Sequence, residues 1–90
     1  MTEQNLIDLG FKRVDVTKEQ SGAPFDWHYY TYDFVKGFSL ISQASDEVTD
    51  GKWFVEILET DGEIRFTNAK ELLHLIRIIE HNKYDRARNE

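Results

Sequence analysis

Three histidines, His28, His74 and His81, are the side chains of this chain best suited by type to general acid–base work or metal ligation. His74 and His81 lie seven residues apart, about 10 Å along a helix axis. Two ligands on one helix can share a metal ion only three or four residues apart, so these two cannot do so unaided. His81 and Asp85 have that spacing but no third ligand nearby, and no metal site is expected. His28 stands between Trp27 and Tyr29 with no visible partner. It reads as a hydrogen-bonded sheet histidine, not a general base. Ser39, Ser42 and Ser45 lack a G-x-S-x-G context, and no Ser/His/Asp order suggests a triad. Dinucleotide, Walker, HExxH and kinase signatures are absent. Cysteine is absent too, which removes disulfides, a thiolate nucleophile and thiolate-bound zinc. No catalytic residue, cofactor or metal is predicted, and the chain reads as non-enzymatic.

Carboxylates and aromatics are the remaining chemistry. Between Asp46 and Glu63 fall Asp46, Glu47, Asp50, Glu56, Glu59, Asp61 and Glu63 against the lone cation Lys52. Asp46, Glu47 and Asp50 crowd one loop, but the glycine and glutamate spacing of a calcium loop is missing. A solvated acidic edge is the plain reading. The sharper one is an edge that imitates a nucleic-acid backbone or meets a basic groove on a partner. Seven of the twelve aromatic residues lie between Phe25 and Phe38. In a strand, neighbouring side chains point to opposite faces, so adjacent Tyr29 and Tyr30 put aromatic surface on both sides. Stacked single-stranded bases would suit such a sheet. The charges of this stretch, Asp26, Asp33 and Lys36, have the wrong balance for a phosphate backbone, and duplex binding is disfavoured for the same reason. A polypeptide is the better match. Trp27, Tyr29, Phe54 and Leu58 are candidate anchors, and Asp46, Glu47, Asp50 and Glu56 candidate steering charges, for a protein partner or a second copy in a homodimer.

The elements that position these groups can be read in order. Thr2 caps a short helix carrying Leu6, Ile7 and Leu9, and Gly10 suits the left-handed exit, with Phe11 placed to touch Leu6 in a Schellman motif. Residues 11–17 alternate as a first strand, and 18–24 read as a loop. The aromatic run, about 25–35, is a second strand. Lys36-Gly37 makes a turn, and 38–43 returns as a third strand; a two-residue turn there pairs Phe34 with Ser39 and Tyr32 with Ile41, and a slip by one exchanges the faces. After a polar loop over 44–51, residues 52–59 form a fourth strand, and Asp61-Gly62 is a hairpin signal. A two-residue turn there pairs Leu58 with Arg65 and Ile57 with Phe66, and gathers Trp53, Val55, Ile57, Ile64 and Phe66 on the core face. Asn68 then caps a long helix ending near Asn82 or Tyr84. Its apolar arc joins Ala69, Leu72, Leu73, Leu75, Ile76 and Ile79, with Ile78 widening it. Residues 83–90 read as a frayed polar tail.

The expected architecture is one α+β domain: a twisted antiparallel meander of about five strands packed on the long C-terminal helix, with a short N-terminal helix. Ninety residues with 40% apolar and 13% aromatic content suffice for a single core. Net charge is −6, concentrated in residues 1–69, where 6 Lys/Arg face 13 Asp/Glu. No stretch approaches 18 apolar residues and no export signal is evident, so the chain reads as a cytoplasmic protein without membrane association. The segments LIDLGF, FSLISQASDE, WFVEILE and IRFTNAKELLHLIRIIE resemble short uncharacterised proteins of phages and prophages, mainly of Bacteroidota. That resemblance implies a fold rather than sites. It also implies a mobile-element setting, in the host cytoplasm, where small acidic proteins inhibit or adapt host machinery.

Overall fold

The computed structural model describes residues 1–84. Of the tail expected to fray, residues 85–90 lie outside the described residues, as does half of the His81–Asp85 pair. The first helix, α1 (Glu3–Asp8), begins where Thr2 accepts from the Asn5 amide and the Asn5 side chain accepts from the Thr2 amide. It ends in the anticipated Schellman motif: Phe11 N–H donates to the Leu6 carbonyl and Gly10 N–H to that of Ile7, both at 3.1 Å. Gly10 takes a φ of 95°, and Leu6 and Phe11 are both buried. After β1 (Lys12–Val16) the expected loop over 18–24 holds a single-turn helix, α2 (Lys18–Ser21). A reciprocal capping box between Thr17 and Gln20 nucleates that turn, a signal hidden among residues otherwise typical of loops.

Strands β2 (Trp27–Val35), β3 (Phe38–Ser42), β4 (Val55–Ile57) and β5 (Arg65–Phe66) join β1 in an antiparallel sheet of order β1-β2-β3-β4-β5. The fold is thus an α+β meander, closed by α3 (Ala69–Asn82). Asn68 caps α3 by accepting from the Lys70 and Glu71 amides.

Two registers differ from the simple two-residue turns. Val35 pairs with Phe38 across Lys36-Gly37 as expected, but the register then shifts at Phe34, so Asp33 faces Ser39 and Tyr32 faces Leu40. The bulge turns Phe34 inward, 5.0 Å from the rings of both Tyr32 and Phe38. In the second hairpin Val55 pairs with Phe66, two residues away from the expected Ile57 pairing. The connection is a wide loop in which Glu59 and Asp61 take positive φ. A shift of two preserves the faces, so Trp53, Val55, Ile57 and Phe66 still point inward. Ile64 does not: the wide loop lifts it off the sheet and leaves it exposed. The Asp61-Gly62 turn itself forms at the tip of that loop, with φ of 57° and 74° and Glu63 N–H donating to the Thr60 carbonyl at 3.3 Å. A second tight turn forms at Asp50-Gly51, with φ of 55° and 66° and Lys52 N–H donating to the Thr49 carbonyl.

Both helices lie on one side of the sheet. Tyr30 and Tyr32, two residues apart on β2, share a face; Tyr30 O–H donates to Glu3 of α1 and Tyr32 O–H to Glu80 of α3. Between helices and sheet sit Leu6, Phe11, Tyr30, Phe34, Leu40, Trp53, Val55, Leu72 and Ile76. Leu72 and Ile76 are the buried residues of α3, while Leu73, Leu75 and Ile79 are half-buried and Ile78 is exposed.

Candidate protein-binding face

Because α1 and α3 share the inner side, neither covers the opposite face. Alternation along the strands sends Val14, Val16, Trp27, Tyr29 and Ile41 to that outer face, and with them Glu56 and Arg65. Phe54, two residues before Glu56, joins them. Trp27 and Tyr29 lie side by side, ring centroids 5.9 Å apart, and both are half-buried. Across the sheet, the Arg65 guanidinium sits over the Phe54 ring, 4.4 Å from its centroid. Its Nε lies 3.5 Å from Glu56 Oε1. These residues, with Ser42, Gln43, Ala44 and Glu47, line a shallow depression of about 470 Å³.

The wall of the depression has a definite cause. β3 ends at Ser42, while β2 continues back to Trp27. The overhanging β2 amides need partners, and serines supply them. Ser42 Oγ accepts from the Tyr30 amide at 2.9 Å, and Ser45 Oγ from the His28 amide at 3.0 Å. Chain 43–47 is thereby held beside Trp27 and Tyr29, ending in a 3-10 turn over Ser45–Glu47 that sets Glu47 at the rim. Gln43 completes the wall: its Oε1 accepts from the Phe54 amide at 2.6 Å, in place of a strand partner. Three polar side chains therefore do the pairing that a longer third strand would have done.

Of the residues singled out from sequence, Trp27, Tyr29, Phe54, Glu47 and Glu56 are brought together here. Leu58 is on the outer side but away from the depression, its amide bonded to the Ser39 carbonyl and its side chain exposed. Asp46 and Asp50 are exposed on the 3-10 turn and the Asp50-Gly51 turn, outside the lining. Ile41, Gln43 and Arg65 were not singled out. The alternation of FSLISQ carried a signal for Ile41 and Gln43; Arg65 is recognisable only once β4 and β5 are paired.

A second cluster ties α1 to the sheet. Glu3 Oε2 accepts from Tyr30 O–H and pairs with His28 Nε2, both at 2.7 Å. His28 thus has the partner that its sequence neighbourhood did not show. Its ring meets Tyr30 edge-on and lies against Trp53. The bonds from Tyr30 and then His28 hold the Glu3 carboxyl below its usual range. Burial, and next the bond to Glu3, raise the Tyr30 phenol. The arrangement fixes a carboxylate, an imidazole and a phenol in mutual bonds, which suits a structural tie. Among the described residues, no group of three or more His, Asp or Glu is placed to hold a metal ion, and no helix is long and apolar enough to cross a membrane. No protein-family model matches the chain, and no curated protein or solved structure is significantly similar to it.

Proposed function

We propose that this chain is a small non-enzymatic protein-binding module whose working surface is the outer face of its sheet, and that it occludes or adapts a host or phage protein. The observation that carries this is the one-sided packing: two helices on the inner face, and Trp27, Tyr29, Ile41 and Phe54 half-buried on the uncovered one. Tryptophan and tyrosine flanked by charge are the composition of an interface centre, where a few aromatic anchors carry most of the affinity. The resemblance to short phage and prophage proteins supports the setting. Carboxylates at the rim, Glu47 and Glu56, disfavour nucleic acid in the same place.

The test is affinity capture from the native host, identification of the captured protein, and calorimetry with that protein purified. Wild type should bind it, and Trp27→Ala with Tyr29→Ala should together lose about 2 kcal/mol or more. Equal affinity of wild type and double variant would remove the outer face as the binding surface. Sedimentation at high concentration adds a second arm: a dimer that Tyr29→Ala dissociates would mean that another copy occupies the face instead.

A further inference from the structure

We infer, resting on the binding face just proposed, that its partner is a basic polypeptide segment that places an arginine or lysine on the rings of Trp27 and Tyr29, beside Glu47. The molecule itself displays how this surface receives a cation. Within the depression the guanidinium of Arg65 lies over the Phe54 ring and is paired with Glu56. The same lining holds these two ingredients a second time, aromatic rings from Trp27 and Tyr29 and a carboxylate from Glu47. Among the described residues that line the depression, Arg65 is the one cation, and it is already engaged. Tryptophan is the best ring for a cation, and a guanidinium can stack on it while bonding a carboxylate edge-on.

Charge complementarity extends beyond the lining. The 3-10 turn adds Asp46, the tight turn after it adds Asp50, and the chain as a whole carries −6. Such a field speeds the encounter with a basic segment and repels acidic ones. A polypeptide fits better than a small ammonium compound, because the face continues past the depression through Val14, Val16 and Leu58 and offers apolar contacts along an extended chain.

Random peptides displayed on a surface and selected against the purified protein test this directly. The selected peptides should be rich in Arg and Lys, should weaken as salt rises, and should lose roughly three- to thirtyfold in affinity with Trp27→Ala. Glu47→Gln, which alters charge without shape, should also weaken them and flatten the salt dependence. Melting curves of both variants establish that the fold is kept. Peptides that need Trp27 but contain no basic residue would overturn the cation while leaving the binding face standing. Peptides indifferent to Trp27, Tyr29 and Glu47, or no selected peptide at all, would overturn the cation and count against the face as well.

Discussion

Glu3 is placed in the first turn of α1, where a carboxylate favours the helix dipole, yet its larger role is to accept from Tyr30 and to pair with His28. Its carboxyl is held below the ordinary value of 4.5. Stability from a depressed carboxyl is fully present above the unfolded value and is lost as pH falls through the folded one. Tyr30 works in the opposite sense: raised from 10.0, chiefly by burial, it supports the fold below that value and ceases to as pH rises through its folded pKa. The tie therefore holds between acid and alkaline limits set by its two ends. Glu3→Gln should destabilise the protein by about 1 kcal/mol at neutral pH, a charged hydrogen bond discounted for an exposed partner. That difference from wild type should shrink in urea melts well below pH 4.5. A difference that persists unchanged in acid would mean that the charge of Glu3 is not what matters.

At the scale of elements, most of what is decided locally was legible, the Thr17–Gln20 capping box of α2 excepted, and what is decided across the sheet was not. Thr2, Gly10, Asn68 and the arc of α3 carry their instructions within a few residues, and both helices begin and end where those residues direct. The bulge at Phe34 depends on the pocket that Tyr32 and Phe38 make for it, so no turn rule reveals it. Likewise the chain has two Asp-Gly pairs with the same turn chemistry. Both form tight turns, but Asp50-Gly51 closes directly on the Thr49–Lys52 bridge whereas Asp61-Gly62 tips a wider loop, because the core places Val55 rather than Ile57 opposite Phe66. Within the candidate site, Trp27, Tyr29 and Phe54 could be picked out by residue type. The serine and glutamine bonds that build the wall could not, since they answer amides 11 to 17 residues away. Gly10 offers a clean local test. A Cβ there would meet only Tyr32 Cε2 at 3.7 Å, ordinary contact, so Gly10→Ala is opposed by its φ of 95° alone. It should cost about 1–2 kcal/mol, read as a lower urea midpoint with an unchanged slope; a changed slope would point to a rearranged α1–β1 junction instead.

On the scale of the whole molecule, the sheet divides the described residues into a side against which α1 and α3 pack and a side that neither helix covers. Tyr29 and Tyr30 are neighbours in sequence and stand on opposite sides of that division. Tyr30 is 2% exposed and touches Trp53, His28 and Glu3. A domain of this size has roughly 5–10 kcal/mol of stability, and Tyr30→Ala should remove about 3–5 kcal/mol of it. That leaves a marginal protein. Tyr29 contacts Trp27 in the depression and makes no bond to either helix. Tyr29→Ala should therefore cost less than about 1.5 kcal/mol, near the range of a surface change, while weakening binding to the proposed partner. Paired melts of the two variants measure the difference directly. If Tyr29→Ala melts as low as Tyr30→Ala, the outer face helps to hold the fold together and is not reserved for a partner. If it melts near wild type, the aromatic rings there contribute little to folding, which is the outcome the proposed binding face requires.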